Sequence, residues 1–575
     1  MAAQQHSADS NYDVDVLIVG AGPTGLALAA QLDSFGTSFR IIDRSLTPAE
    51  HSRALALQPR TLEALRPFGI SAALAAAGHP ARRLHLHLPE QIIPVDLADA
   101  GSEDSEFQHL LFLSQAETER ALTSHLAGRR VRVERGVELQ DLERLDPEDP
   151  FAGVEAKIQR MDRGIERIRA RYVVGADGAH STVRSKAGMD WRGSGYPGTY
   201  VLADLEIDGA EPDTMHSYLN EDGFLLLFPL GQPATWRLIA MKEDGDSGEA
   251  TLESLQNIAD KFADGALSLR DPQWISTFKL SHQIAEYYQN GSVFLAGDAA
   301  HVSSPVAAQG MNTGIQDALN LGWKLSLGAR GLASEELVDS YDAERRPVGQ
   351  NVLNFTDRIF RLASSKNGLL KLPRTKLLPA IAPKASGSKA LRTRLFRTVS
   401  QLGTQYRDSD MVDTGDSRLP AFLTAGPKAG DRMPDAVVLD QGRERRLHEV
   451  LSTPGFHVLL CGPGWPADTQ LRIHDALGRL SPWLSVQRLT VGSRLAAADP
   501  SEIQDVSGLA FERLGLSVRR PEILVVRPDG HIGFRSQGTD ITGAVEYLNR
   551  LTTSAAASQP AAASQPAAVN QPAGA

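Results

Sequence analysis

The chain predicts a mixed α/β fold of several domains. Three observations predict it: an apolar run closed by a glycine-rich turn near the N-terminus, alternating apolar positions through the middle third, and a later return to short apolar runs. At 575 residues it is too long for one ordinary core. Its 42% hydrophobic and 22% charged residues are those of a globular protein. A net charge of −11 argues against a nucleic-acid partner held by phosphate neutralisation. Cys461 is the single cysteine, so no disulfide framework, thiolate metal cluster or CxxC pair forms within the chain. No metal ligands are read from the sequence.

The N-terminal MAAQQHSADSNYD lacks a basic start followed by an apolar run and is not a secretory signal. Val14–Leu32 is broken by Gly20, Gly22, Pro23 and Gly25, which makes it a strand, a turn and a helix rather than a membrane span. No other run approaches a span. The expectation is a cytoplasmic protein with no membrane partner.

Val14–Val19 reads as a buried strand, Thr24–Phe35 as a helix stopped by Gly36, and Phe39–Asp43 as a second strand, completing a βαβ unit. Arg60–Phe68 reads as a helix with Pro59 just before it. Residues 81–113 and 200–290 carry alternating segments, such as Phe224–Phe228 and Trp236–Ala240, expected in an antiparallel sheet. Val293–Ala296 is a short buried strand. Ile315, Ala318, Leu319, Gly322 and Trp323 then share one helical face, and Leu337–Arg345 lies in a further helical region. The basic stretch Lys366–Arg397 reads as a linker with a solvated helix. Strands at Gly455–Cys461 and Glu522–Arg527 mark a separate α/β unit. The Ala/Gln/Pro/Ser tail from Ser554 cannot bury a core and is expected to be disordered.

Three motifs carry the chemistry. In GAGPTG, Gly20 permits a tight turn, Gly22 lets a pyrophosphate approach the backbone, and Gly25 allows helix and strand to pack closely; Pro23 and Thr24 open the helix, whose N-terminus favours phosphate charge. Asp43 ends the second strand, where a carboxylate takes a ribose hydroxyl. Arg44 is either solvated or stacked on adenine, and Gln115 is either a surface helix residue or an adenosine contact. In GADGAHSTVR, Asp177 and Gly178 form either an ordinary turn or one that holds Arg184 and backbone near the pyrophosphate. In AGDAAHVSSPVAAQGMNTGIQDA, Asp298 after Gly297 can accept ribityl hydroxyls. Pro305 and the Gly310-Met311-Asn312 turn precede a helix whose N-terminus would face a flavin ring. Together the motifs describe one FAD.

In this order and spacing they resemble the single-component FAD-dependent aromatic hydroxylases, the class A flavoprotein monooxygenases, from about Val14 to Pro347. SRALALQPRTLE (Ser52–Glu63) and DAERRPVGQ (Asp342–Gln350) fit as well. Residues 428–551, above all RPEILVVRPDGHIGFR, resemble less strongly the thioredoxin-like domain appended to phenol and polyketide-tailoring hydroxylases. The resemblance implies a Rossmann-like FAD-binding domain at 13–200 and 285–365, an interleaved substrate-binding antiparallel sheet at 81–115 and 200–285, and a helical linker at 366–427. A C-terminal thioredoxin-like domain at 428–551 completes the fold, between disordered ends at 1–12 and 552–575.

It also implies NAD(P)H, with NADPH favoured, as reductant, dioxygen as co-substrate, a flavin C(4a)-hydroperoxide as oxygen donor, an aromatic small molecule as substrate, and a homodimer. No second GxGxxG is present for NAD(P)H, whose nicotinamide is expected to dock near the Asp177 turn. Where simple phenol hydroxylases place a catalytic Asp this chain has Leu55, and Gln283 stands where an Arg is common. Arg53, Tyr287 and Pro305 remain as candidate catalytic residues. Arg53 is either solvated or beside flavin or substrate; Tyr287 and Tyr288 are either phenolic groups of the site or strand packing; His282 reads as a pocket-wall or surface residue. The missing Asp favours an already acidic or polycyclic phenol of secondary metabolism. Baeyer–Villiger insertion, epoxidation, antibiotic inactivation and non-catalytic sequestration of an aromatic ligand are the alternatives. A halogenase is disfavoured by the lack of a WxWxIP segment.

Overall fold

The structure, a computed structural model, describes residues 11–50, 54–196, 198–220, 223–231, 234–242, 249–304, 308–364, 387–415, 426–492 and 502–552. Arg53, Pro305, residues 366–386 of the basic stretch, and both ends up to 10 and from 553 lie outside the described residues. Among the described residues, no helix is long and apolar enough to cross a membrane.

The N-terminal βαβ unit forms where the glycine pattern places it. Strand β1 (Val14–Val19) leads into helix α1 (Pro23–Ser34) and strand β2 (Phe39–Asp43). Every apolar residue of α1 is buried, which a helix sandwiched between a sheet and a second helix requires. β1 pairs in parallel with β2 and with β3 (Gly164–Gly175), and β3 in turn with β4 (Val293–Leu295). The first half of β3 does something the sequence reading did not anticipate. It continues as an antiparallel sheet through Val154–Arg160 and Val137–Arg144. The alternation Val154, Ala156, Ile158, all buried, accounts for it.

Pro59 lies inside its helix, Pro59–Leu65, rather than just before it, because a proline at the first position forfeits an N–H that has no helical partner. A 3₁₀ turn over Arg66–Phe68 closes this segment.

The middle of the chain forms a seven-stranded sheet in the order 268–278, 200–208, 236–241, 223–229, 214–220, 83–88, 91–96. It is antiparallel except where Arg83–Leu88 pairs in parallel with Thr214–Asn220. Helix Leu252–Ala263 covers one face through Leu255 and Ala259. The other face, with Tyr200, Leu202, Phe224 and Ile239, turns toward Leu55 and Phe360.

The long helix α2 (Gly310–Ala329) is buried on nearly all sides from Met311 to Leu327. Beyond it, α3 (Glu335–Ser364) leads to the C-terminal unit, a seven-stranded sheet that includes β5 (Phe456–Cys461), β6 (Leu484–Val491), β7 (Glu522–Val526) and β8 (Ile532–Gln537). β5 and β6 are parallel, whereas β7 and β8 run antiparallel. One face of this sheet shares a core with the rest of the molecule: Phe456 packs edge-on against Trp323 of α2, with ring centroids 5.5 Å apart.

Candidate functional site

The three glycines of the first turn do three different jobs. Gly20 has φ +103°, and a Cβ there would stand 2.3 Å from the Ala176 carbonyl oxygen. A Cβ on Gly25 would stand 2.0 Å from the Gly20 oxygen, so both positions are closed by backbone. At Gly22 a Cβ would meet nothing within 4 Å. That open position is also the N-cap of α1, which carries no side-chain cap. An uncapped helix start opening on empty space suits a pyrophosphate.

Two adjoining cavities, of about 310 and 530 Å³, share Gly22, Gln115, Ala176 and Gly178 in their walls. The smaller runs toward Asp43 and Arg44, the larger toward Asp298, Gly310 and Met311. One elongated site thus brings together most of the predicted cofactor residues: Gly20, Gly22, Pro23, Thr24, Asp43, Arg44, Gln115, Asp177, Gly178, Asp298, Gly310 and Met311.

Several of these side chains are partly committed already. Asp43 Oδ2 accepts the Ala21 N–H at 2.7 Å and Oδ1 accepts that of Ser45, which braces the glycine turn against the end of β2. Asp177 accepts the Ser181 hydroxyl and the N–H groups of Thr182 and Val183, fixing its turn; burial raises its carboxyl above the ordinary range. Gln115 donates to Glu119 Oε1 at 2.7 Å, and burial raises Glu119.

Other predicted residues stand elsewhere. Arg184 lies outside both cavity walls. Its guanidinium donates to the carbonyls of Ala299 and Ala179 and sits 3.8 Å over the Trp191 ring, so it ties the second motif to the third rather than reaching a phosphate. Asn312 also turns away. It donates to the carbonyls of Ala56 and Ala308 and accepts the Gln58 N–H, and so binds Leu55's segment to the first turn of α2. Gly297 and Gly25 act by close packing: a Cβ on Gly297 would stand 2.5 Å from Thr24 Oγ1.

Tyr287 is 55% exposed and lines neither cavity, in the connection that precedes the short strand Gln289–Asn290. Tyr288 is fully buried, stacks on His301 and leaves its hydroxyl without a partner. His282 packs beside Tyr196, and Gln283 pairs across to Gly193 and Val302.

Sequence reasoning missed three groups. Glu119 and Arg135 line the smaller cavity; Glu119 stands one helical turn beyond Gln115, the signal that could have found it. Trp274 and Phe278 join Leu55 in the larger cavity, on a strand whose alternation was read without its facing direction. The third group is a fully buried charge cluster. Asp317 on α2 accepts the Gly297 N–H at 3.1 Å and His301 Nε2 at 2.7 Å through one oxygen, and Arg345 Nε at 2.7 Å through the other. Arg345 also donates to the Tyr406 hydroxyl and the Thr313 carbonyl. Burial alone would raise the Asp317 carboxyl, yet the Arg345 guanidinium and His301 hold it below the ordinary carboxylate range. Arg345 lies within the DAERRPVGQ segment already matched to hydroxylases.

The FAD binding domain family matches residues 13–356. The 6-methylpretetramide 4-monooxygenase of Streptomyces rimosus is 34% identical over 560 residues, covering 94% of each chain. The pentachlorophenol 4-monooxygenase of Sphingobium chlorophenolicum is 33% identical over 431 residues, covering 74% of this chain and 76% of its own. Among solved structures, the OxyS anhydrotetracycline hydroxylase of Streptomyces rimosus superposes with a TM-score of 0.72 at 27% identity, over 94% of this chain and 99% of its own.

Proposed function

Since the chain belongs to the FAD binding domain family and is an FAD-dependent aromatic monooxygenase, we propose that it uses NAD(P)H and dioxygen to hydroxylate a polycyclic, polyketide-type phenol. The observation that carries the substrate class is Leu55. It is 3% exposed and lies in the wall of the larger cavity beside Phe278 and Met311, where simple phenol hydroxylases carry a carboxylate. With an apolar side chain there, a substrate that is already acidic or electron-rich needs no proton removed at that point.

In this reading Gly22 and the start of α1 hold the pyrophosphate, and Asp43 faces the ribose. Arg44 and Gln115 flank the adenosine, Asp298 faces the ribityl chain, and Gly310–Met311 present backbone N–H groups to the flavin ring. When bound, FAD supplies hydride acceptance from NAD(P)H and the activation of dioxygen. Leu55, Phe278, Leu280 and Met311 exclude water from the ring side of the site, and Trp274 offers a flat face on which an aromatic substrate orients. The dipole of α2 favours negative charge at its N-terminus, beside Gly310.

The C-terminal unit reads as thioredoxin-like. Its support is the sequence of β5, helix Thr469–Ala476, β6, β7, β8 and helix Thr542–Thr552, with β7 antiparallel to β5. Cys461, its single cysteine, is buried and its thiol is pushed upward by burial, so the unit serves structure rather than dithiol exchange.

Rapid-mixing reduction by NADPH and by NADH, with and without a panel of polycyclic and simple phenols, tests the reading. A polycyclic phenol should accelerate flavin reduction and emerge carrying one atom of labelled dioxygen as a hydroxyl. Equal turnover of plain phenol would remove the argument from Leu55. A ring-expanded product would favour Baeyer–Villiger chemistry instead.

A further inference from the structure

No metal ligands are legible in the sequence, and the cofactor site makes no use of the helix-covered face of the substrate sheet. Among the described residues, one group of side chains there is disposed to hold a metal ion. His85, His87 and His216 each bring a ring nitrogen within 4.8 Å of the other two. Spacing by two along Arg83–Leu88 places His85 and His87 on one face. The parallel pairing with Thr214–Asn220 sets His216 beside His85 and Tyr218 beside His87.

Contacts on each side fix the three rings. His87 Nε2 lies 3.0 Å from His216 Nδ1. His216 Nε2 lies 3.2 Å from the Glu211 carbonyl oxygen; donating there leaves Nδ1 with its lone pair turned inward, the arrangement common in metal-binding imidazoles. Tyr218 stacks on the His87 ring at 3.9 Å and fixes its plane. Glu211, paired with Arg83, also stands 3.7 Å from His85 Nδ1 and orients that ring. His85 also borders an open cavity of about 800 Å³ whose rim carries Asp96 and Asp213 as well as Arg82 and Arg83, which gives a small ion a path of entry.

We propose that His85, His87 and His216 form a zinc-class transition-metal site that clasps two strands 129 residues apart in sequence, with solvent completing the coordination. Three imidazoles and no thiolate suit zinc, copper or nickel over calcium or magnesium. Zinc–nitrogen bonds of about 2.0–2.1 Å in a tetrahedron set ligand nitrogens about 3.3 Å apart. The His87–His216 pair is therefore nearly in place, and side-chain rotation brings in the third.

The test uses the FAD-loaded full chain, freed of any affinity tag, stripped with a chelator and dialysed against zinc alone. The wild type should retain about one equivalent of zinc by elemental analysis, and zinc should raise its Tm. The His85→Gln/His216→Gln double variant should bind about tenfold or more weakly, with its Tm insensitive to zinc and its bound-flavin spectrum unchanged. If the double variant does not fold, His85→Gln alone, on the rim of the open cavity, makes the same comparison. Zinc retained equally by wild type and a folded variant, or no zinc retained by the wild type, overturns the proposal.

Discussion

The two ends of the cofactor site are built from opposite materials. Around Asp43 the wall carries the charged groups Arg44, Glu119 and Arg135, of which Glu119 is buried, whereas around Gly310 it carries Leu55, Trp274, Phe278 and Met311. A polar end fixes the position of a cofactor by hydrogen bonds that water can replace. An apolar end protects a reaction from that same water. Beneath both lies the fully buried cluster of Asp317, His301 and Arg345, which touches neither cavity but sets the Gly297 turn and the start of α2.

Breaking the cluster should have the largest effect, because both ends depend on it. Asp317→Asn leaves Arg345 buried without its counter-charge and should cost about 3–5 kcal/mol, read as a lower Tm with loss of bound flavin. The pH dependence has a definite sign. The folded-state pKa of Asp317 is lowered, so its stabilisation is complete above the unfolded carboxylate value of about 3.9 and is lost as pH falls through the lower folded value. The wild type should therefore lose stability on acidification more steeply than the Asn variant.

The glycines sharpen the contrast within the polar end. Gly25→Ala drives a Cβ into the Gly20 carbonyl and should cost about 3 kcal/mol, with little FAD retained after purification. Gly22→Ala meets no protein atom. It should keep the wild-type Tm in the cofactor-free state and weaken FAD binding about tenfold, or about 1.4 kcal/mol, measured by flavin titration.

Trp274→Ala probes the apolar end by itself. It should raise the substrate KM about tenfold while leaving the FAD Kd unchanged; a change in FAD affinity would show that the two ends are not separable. Tyr287→Phe lies outside both ends and should stay within about twofold of wild type in kcat/KM.

Legibility in the sequence follows the same division. The glycine turn, Asp43 and the Asp298–Met311 segment were readable because each is a local solution to a backbone problem: a tight turn, a strand end, a helix start. Arg184 and Asn312 were placed at the cofactor by motif position, but their side chains close contacts between segments distant in the chain, and no local pattern reports that. Asp317 and Arg345 lie inside two of the motifs, but no local pattern pairs them. They sit on separate helices, and only the packing of α2 against α3 brings the two charges within 2.7 Å. Tyr287 and Tyr288 show the limit of reading adjacent residues in a connection between strands, here Ser281–Ala285 and Gln289–Asn290, where only the second is buried.

The contact of Phe456 with Trp323 reaches beyond packing. The helix that starts at the apolar end of the site finishes inside the core of the C-terminal unit, together with Phe35, Leu327 and Leu337. Two units that share one core are not interchangeable parts. A recombination event that replaced the C-terminal unit with a foreign one would have to match the surface of α2 as well as fold. The two parts of this gene are thereby bound to evolve together.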